Sequence, residues 1–485
     1  MNLRFLAKQG VKKSVLDFFG LNGFGALRRS MPPGAQRARK PSRSGRLISA
    51  IVVGALAASP AAFATNGYFQ IGYGAKSVAM AGAGVANPQD SLAAASNPAS
   101  IALVDDGWDA GVRAFSPRRD ASIDCTGIDV GSGAGPCTRS VSDVSDRELF
   151  LIPNFGYVRR LNDKMSTGLT LFANGGMNTH YNRNIYDETI AALFGAPPNT
   201  GTGTPNTSTL GVNLEQMLLT ATLSYQVHEN HTLGVSPVFG FQRFSSRGLG
   251  NFAGLSADPG SLTNRQTDVS VGAGIRAGWI GQVHPKVTLG ANLASKVYMT
   301  DLEKYSGLFA DGGSFDIPAH VAFGFSIRPN PKFTLAFEAQ RIFYSDVDAV
   351  NNPGPTAAEF GGVIAPERML GASNGIGFGW ESIWAFKLGA RYEINNKWTL
   401  RAGYNHGDSP IPDDEVLINI LAPGTVEDHL TAGVSYRYDK KSEVTLSYMY
   451  AVHNQQADSS TALFGAPAKF GMHENAIDLS YSRRF

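Results

Sequence analysis

Several short runs of this 485-residue chain carry side chains of the kinds that do chemistry. His406, Asp408 and Ser409 supply an imidazole, a carboxylate and a hydroxyl, the three groups of a nucleophilic triad. They are sequence neighbours, however, and a triad is assembled by geometry from separated positions. The run reads instead as the end of a strand and the start of a loop. His228 and His231 form a His-x-x-His pair in a tight turn without a third ligand, too little for a zinc site. Gly72-Tyr73-Gly74-Ala75-Lys76-Ser77 has the residue types of a phosphate loop but neither its glycine spacing nor a preceding strand. No catalytic residue, metal site or cofactor is expected, and the chain does not read as an enzyme. Two cysteines make no disulfide scaffold. Cys125 and Cys137 enclose a Gly-rich stretch, and an exported chain meets oxidising conditions. One loop disulfide is expected there, with two unpaired thiols as the alternative.

The elements that would position such residues are strands. Glycine (55 residues) and aromatics (10%) are abundant while charge is only 17%, against about 25% in soluble domains. That balance excludes a disordered chain, a coiled coil and a basic nucleic-acid binder. No apolar run reaches the roughly 18–20 residues of a spanning helix. From Trp108 onward, short runs alternate: Val444, Leu446, Tyr448, Tyr450 and Val452 share one face, and Thr445, Ser447, Met449 and Ala451 the other. Period two means strands. Fourteen are expected, near 107–117, 148–160, 164–175, 213–227, 231–244, 266–282, 286–299, 315–328, 332–344, 380–393, 397–406, 426–438, 442–452 and 474–485. Short connections, such as Asn162-Asp163 and Asp439-Lys440, alternate with long ones, such as 176–212 and 345–379. An even number of strands with every long loop at one end describes an outer-membrane barrel. Closure also removes the sheet edges that lipid would leave unpaired. The last strand ends on Phe485, with Ile477, Leu479 and Tyr481 on the same face, and Arg483 interrupts that face near its end.

Charge is divided unevenly. Residues 1–64 hold eleven Lys/Arg and one acid, Asp17, leaving 31 basic and 39 acidic residues in the remainder. Arg37, Arg39, Lys40, Arg43 and Arg46 precede the apolar stretch Leu47–Ala58, and Ala62-Phe63-Ala64 supplies small residues for cleavage. Residues 1–64 therefore read as an export signal, with Met31 a candidate true start and Thr65 the first mature residue. Residues 65–106 do not alternate and carry little charge, which favours a plug inside the barrel over a tail outside it. Residues 107–485 form the barrel.

The stretch from Ala64 to Ser100, ATNGYFQIGYGAKSVAMAGAGVANPQDSLAAASNPAS, resembles the start of the FadL/TodX-type outer-membrane transporters of long-chain fatty acids and hydrocarbons. Asn97-Pro98-Ala99 matches the family's hatch motif, and NGGMNTHY (Asn174–Tyr181) and GYNHGDSPIPDD (Gly403–Asp414) extend the likeness. The resemblance implies an all-β, fourteen-stranded antiparallel transmembrane barrel with a small N-terminal hatch inside. It implies passive uptake of hydrophobic compounds: capture among outer loops, an interior pocket, and lateral exit at a kinked third strand. Gly175 and Gly176 would permit that kink, and are equally ordinary turn residues. Expected partners are a long-chain fatty acid or another hydrophobic small molecule, outer-membrane lipid and lipopolysaccharide, and the barrel insertion machinery. No nucleic acid is expected, and the chain is read as a monomer in the bacterial outer membrane. A general porin or a barrel hydrolase is the alternative.

The outer loops carry apolar residues that look exposed, with Phe194, Phe252, Leu308 and Phe309 the first candidates for substrate capture. Anchoring at the membrane interface competes with that reading. The hexapeptide ALFGAP occurs twice, at Ala192–Pro197 and Ala462–Pro467. Arg276, Glu338, Lys387, Arg391, Arg401 and Arg437 fall on the interior face, either to grip a carboxylate or to pair with acids and hold the plug.

Overall fold

The computed structural model describes residues 66–195 and 207–485. The export signal, Met31 and Thr65 lie outside the described residues, as do Ala196 and Pro197 of the first ALFGAP copy. The strands in chain order are β1 (Gly107–Asp124), β2 (Ser140–Val144), β3 (Phe150–Asn162), β4 (Met165–Asn178), β5 (Gly211–His228), β6 (His231–Arg247), β7 (Asp268–His284) and β8 (Val287–Ala294). They continue with β9 (Tyr298–Met299), β10 (His320–Asn330), β11 (Phe333–Ile342), β12 (Ile383–Glu393), β13 (Trp398–Gly407), β14 (Asp428–Arg437), β15 (Ser442–Ala457) and β16 (Ala468–Arg484). Fourteen of them pair antiparallel with their neighbours, and β16 closes on β1 from Gly107↔Arg484 to Ile123↔Ala468. β2 and β9 are short additions, on β1 and β7.

The alternation explains the closure. On β15, Leu446 and Tyr448 are 48% and 46% exposed, while the alternate residues Thr445 and Ser447 are buried. An apolar outer face and a polar inner face suit a barrel whose solvent is lipid. Short turns gather at one end together with Gly107 and Arg484. Aromatic pairs ring that end, including Trp398 with Tyr436 at 4.6 Å, Trp108 with Tyr481 at 5.4 Å and Tyr157 with Phe485 at 6.0 Å. Interfacial rings of this kind mark the edge of the hydrocarbon layer. Arg483 meets Asp439 there at 3.6 Å. The opposite end carries long loops with helical turns and one ten-residue helix, Ile185–Phe194, inside a segment expected to be irregular. Asn184 caps that helix, its side chain accepting from Asp187 N, and Gly195 ends it at φ 64°.

The segment 66–106 lies within the barrel, and no residue from Asn66 to Ile101 is exposed. Its 3-10 turn Pro98–Leu103 packs on β5, β6 and β7, and its helical turn Ala75–Val78 on β14, β15 and β16. The interior charges hold it. Glu338 accepts from Gly84 N (2.9 Å) and Val85 N (2.8 Å) while paired with Lys387 (2.9 Å). Lys76 pairs with Glu443 (2.8 Å), Arg401 donates to Gln89 (2.7 Å), and Arg276 donates to the Ala95 carbonyl. Buried ions are tolerated when paired and hydrogen-bonded. Of the six interior residues, Arg276, Glu338 and Arg401 touch the segment and Lys387 pairs with Glu338, whereas Arg391 and Arg437 pair with Glu393 and Glu443 on the strands.

Candidate functional site in the barrel wall

The third barrel strand departs from the ladder. β3 pairs with β4 from Asn162↔Met165 up to Phe155↔Leu171, and the pairing stops there. Above that point Phe150–Asn154 stay on β1, while Phe172–Asn178 stay on β5. The two strands thus leave an opening between them. A bulge lies at its side, since Ala173 faces Met217 but Gly175 already faces Gln216. One extra residue bends the strand. Beyond the opening the chain rejoins: Asp146 N donates to His180 O (3.0 Å) and His180 N to Ser145 Oγ (3.0 Å).

The N-terminal segment fills this opening from inside. Phe69 bridges Gly175, Gln70 N donates to Asn174 O (3.2 Å), and Gln70 Nε2 to Ala173 O (2.7 Å). A Cβ at Gly175 would stand 1.6 Å from the Tyr68 carbonyl oxygen, so only glycine admits the segment this closely. Ile71 packs with Phe150 and Ile152 from one side of the opening and Ala173 from the other. Arg113 steadies Gln70 (2.6 Å) while paired with Asp478 (2.8 Å). Above, Tyr68 sits in an aromatic nest with Tyr344 (5.2 Å) and Trp380 (5.7 Å). The Tyr344 hydroxyl accepts from Tyr68 N (3.1 Å) and donates to Asn66 O (2.6 Å). Burial raises that phenol well above its usual range, which keeps the donor proton in place.

Asn97 is fully buried and makes three contacts. Its Oδ1 accepts from Ala99 N (3.0 Å), and its Nδ2 donates to Val85 O (2.8 Å) and to Trp279 O (2.9 Å) on β7. Pro98 and Ala99 lie against Gly234, and Asn97 against Gly278, where a Cβ would collide. Asn97, Pro98 and Ala99 therefore join the far half of the segment to the wall at β6 and β7, the second and third strands beyond β4.

The capture candidates sit differently from the exposed positions read from the sequence. Phe252 and Phe309 are buried, Leu308 is partly buried, and among the four only Phe194 is exposed, at 39%. Phe252 packs edge-on to Tyr186 (5.1 Å), and Phe309 to Phe244 (4.7 Å) and Phe315 (4.9 Å). The loops bury their apolar residues against one another and form a cap continuous with the aromatic nest. Within it, a cleft of about 20 Å³ is lined by Phe252, Leu308, Phe309, Leu370, Phe378 and Ile418. That holds about one water molecule. The two ALFGAP copies meet, Phe194 lying edge-on to Phe464 at 5.1 Å.

Cys125 and Cys137 are joined in the first outer loop. His406 contacts Asp428 (2.9 Å), and Ser409 donates to Gln456 (3.0 Å); the two do not form a triad. Burial lifts the carboxyl of Glu415, in the loop after β13, to about 7, partly offset by Gly354 N, which donates to it at 2.7 Å. Sequence reasoning passed over Tyr68, Tyr344, Trp380 and Arg119. Their tyrosine, tryptophan and arginine side chains in loops and alternating strands gave no signal by spacing.

Comparison with known proteins accords with this architecture. The family model described as Outer membrane protein transport protein (OMPP1/FadL/TodX) matches residues 51–485. The crystal structure of a Pseudomonas aeruginosa FadL homologue superposes with TM-score 0.60 at 17% identity, covering 86% of this chain and 100% of that one. The P. putida toluene transporter TodX gives 0.59 at 20% identity over 86% and 99%. The Ralstonia pickettii toluene transporter TbuX gives 0.54 at 17% over 86% and 99%. At these identities the likeness shows the fold. A Chlorobium limicola protein, described as an uncharacterized protein in the phosphoenolpyruvate carboxykinase gene 5′ region, is 40% identical over 83 residues, 16% of this chain. The match spans 40% of that relative's length. With a family model matched over most of its length and a closed fourteen-stranded barrel, the chain belongs to the OMPP1/FadL/TodX family of outer-membrane transport proteins and is a transporter of the outer membrane rather than an enzyme.

Proposed function

We propose that the protein takes up hydrophobic compounds, long-chain fatty acids or hydrocarbons, by passive passage from the outer loops through the barrel interior to the wall opening beside β4. The observation that carries this reading is the break in pairing above Phe155↔Leu171, backed by the N-terminal segment rather than by another strand. Phe194, Phe252, Leu308 and Phe309 belong to the apolar cap through which a ligand enters when the loops part. Asn97, Pro98 and Ala99 fix one half of the segment as the frame of a hatch, and residues 66–73 form its movable half. A cavity of about 240 Å³ at the short-turn end is lined by Asn87, Glu229, Gln282, Lys286 and Arg328. An apolar ligand loses transfer free energy in such surroundings, which favours sideways exit into lipid. A general porin fits poorly, because a buried segment fills the interior.

The test is uptake of a radiolabelled long-chain fatty acid and of an aromatic hydrocarbon by cells lacking other such carriers, with mass spectrometry of what copurifies in the barrel. Uptake of either above an empty vector is expected. Uptake of neither by correctly inserted protein refutes the reading, and passage of small sugars in proportion to size replaces it with a porin. The protein is expected to act as a monomer, inserted by the barrel insertion machinery and surrounded by lipid and lipopolysaccharide.

A further inference from the structure

Arg119, on the inner face of β1, stands where the wall opening ends. Its guanidinium donates from Nη1 to the Asn178 carbonyl, at the end of β4, and from Nη2 to the Arg147 carbonyl, on the approach to β3. One side chain thereby ties both sides of the opening. Its backbone carbonyl accepts from Ser145 N (2.9 Å), and Ser145 in turn holds His180. The third donor, Nε, is buried without a partner among the described residues.

On the neighbouring strand, Glu474 is fully buried, and among the described residues none donates a hydrogen bond to either of its carboxyl oxygens. The β1–β16 register sets Glu474 opposite Pro117 and Arg119 opposite Met472. The two side chains therefore leave the same inner face as diagonal neighbours, a spacing of roughly 7–8 Å that long side chains cross. The other arginine on this face, Arg113, is already engaged by Asp478 and Gln70. A buried carboxyl group without a hydrogen-bond partner among the described residues, beside an arginine whose bonds go to backbone carbonyls, is costly. It becomes economical if a second state of the molecule uses it.

We propose that Arg119 is a two-position clasp for the wall opening. In the occluded state it joins Asn178 and Arg147. When the opening widens it turns to Glu474, so the charge-assisted bonds lost at the frame are replaced within the barrel. Arg119 and Glu474 are positioning residues: they set the width of the passage and touch no transported molecule. The proposal rests on reading the opening as the exit route, and its test is chosen to separate the two.

A cysteine replaces Ala173, a buried residue at the opening, in protein reconstituted into lipid vesicles. Its reaction with a bilayer-partitioning maleimide is timed, with Cys125 and Cys137 left joined. Folding is verified by heat-modifiable migration. Arg119→Gln should raise the labelling rate about tenfold, the surplus of the two frame bonds over the Glu474 pairing that the substitution also removes. Glu474→Gln should lower it about threefold, because the open state loses its acceptor charge. The double variant should behave like Arg119→Gln. A merely structural role would make both single variants looser. Equal increases, or no change in either, overturn the clasp. If Arg119→Gln does not insert, Glu474→Gln decides alone: a slower rate supports the clasp, and an unchanged or faster one overturns it. Uptake by Ala173→Trp, which plugs the opening, tests the exit reading separately. Unchanged uptake with the labelling pattern above removes the exit and leaves the clasp.

Discussion

Replacement of Gly175 by alanine adds one methyl group and, by the geometry of the seat, should unfasten the N-terminal segment. The added Cβ would stand 1.6 Å from the Tyr68 carbonyl oxygen and 2.7 Å from its carbon. A backbone carbonyl, unlike the end of a flexible side chain, cannot rotate aside, so the segment itself must shift. The shift breaks the two hydrogen bonds from Gln70 to Asn174 O and Ala173 O. At about 1 kcal/mol each, the occluded state loses about 2 kcal/mol, or about thirtyfold in its ratio to the displaced state. Steric strain adds to that figure, and the aromatic nest around Tyr68 limits the movement to residues near the bulge. The assay is the reactivity of a cysteine at Ile71, which is 1% exposed, toward a small maleimide in the folded barrel. Reactivity should rise about thirtyfold in Gly175→Ala. Gly254→Ala serves as control, since a Cβ there meets nothing within 4 Å. If the cysteine at position 71 stays unreactive in a folded Gly175→Ala protein, the segment is not held by the bulge and the account of the seat is wrong.

Three further expectations follow from the same contacts. Asn97→Ala removes one capping acceptor and two donors and leaves buried carbonyls on Val85 and Trp279; a loss of about 2–4 kcal/mol is expected, read as a lower melting temperature of the heat-modifiable form with the barrel still inserted. Phe252→Ala empties a buried aromatic site and should cost about 3–5 kcal/mol in the outer cap, whereas Phe194→Ser should change thermal stability little and weaken ligand capture; equal destabilisation by both would contradict the cap as described. Glu415, with a carboxyl raised from about 4.5 to about 7, binds its proton more tightly when its loop is packed, with Asp414 and Asp458 pushing the same way and Arg368 opposing. Its contribution to that packing is complete below about 4.5 and is lost as pH rises through about 7, so the protection factors of amides across 408–427, corrected for intrinsic exchange, should fall between about pH 5 and about pH 8, and Glu415→Gln should remove that fall.

The barrel was legible because its cause is local. Side chains alternate along most of the barrel strands, and the short turns are written in Asn, Asp and Pro, so period and turn length specify closure and sidedness. The strand edges differ where distant contacts decide them. β8 stops at Ala294 and β10 begins at His320 because Val297 pairs with Ile317 across a loop. The likeness around Asn97-Pro98-Ala99 points to the buried segment, and Gly175 and Gly176 are legible as a pair that permits a kink or makes an ordinary turn. The reason that position holds glycine was not legible, since it lies in the Tyr68 carbonyl, more than a hundred residues away in sequence.

The exposure of Phe252 and Phe309 was misread for the same kind of reason. A loop has no periodicity from which burial can be inferred, and these side chains are covered only by other loops folding over them. Arg119 and Glu474 look like any interior pair on alternating strands, and which atoms they meet depends on where β3 and β4 part. Composition and period determined that this chain forms a closed fourteen-stranded barrel with an outer, loop-bearing end. Tertiary structure alone decided that the wall opens above Phe155 and Leu171 and that Gln70 and Ile71 fill the gap, because a bulge is a mismatch between two strands and neither strand carries it by itself.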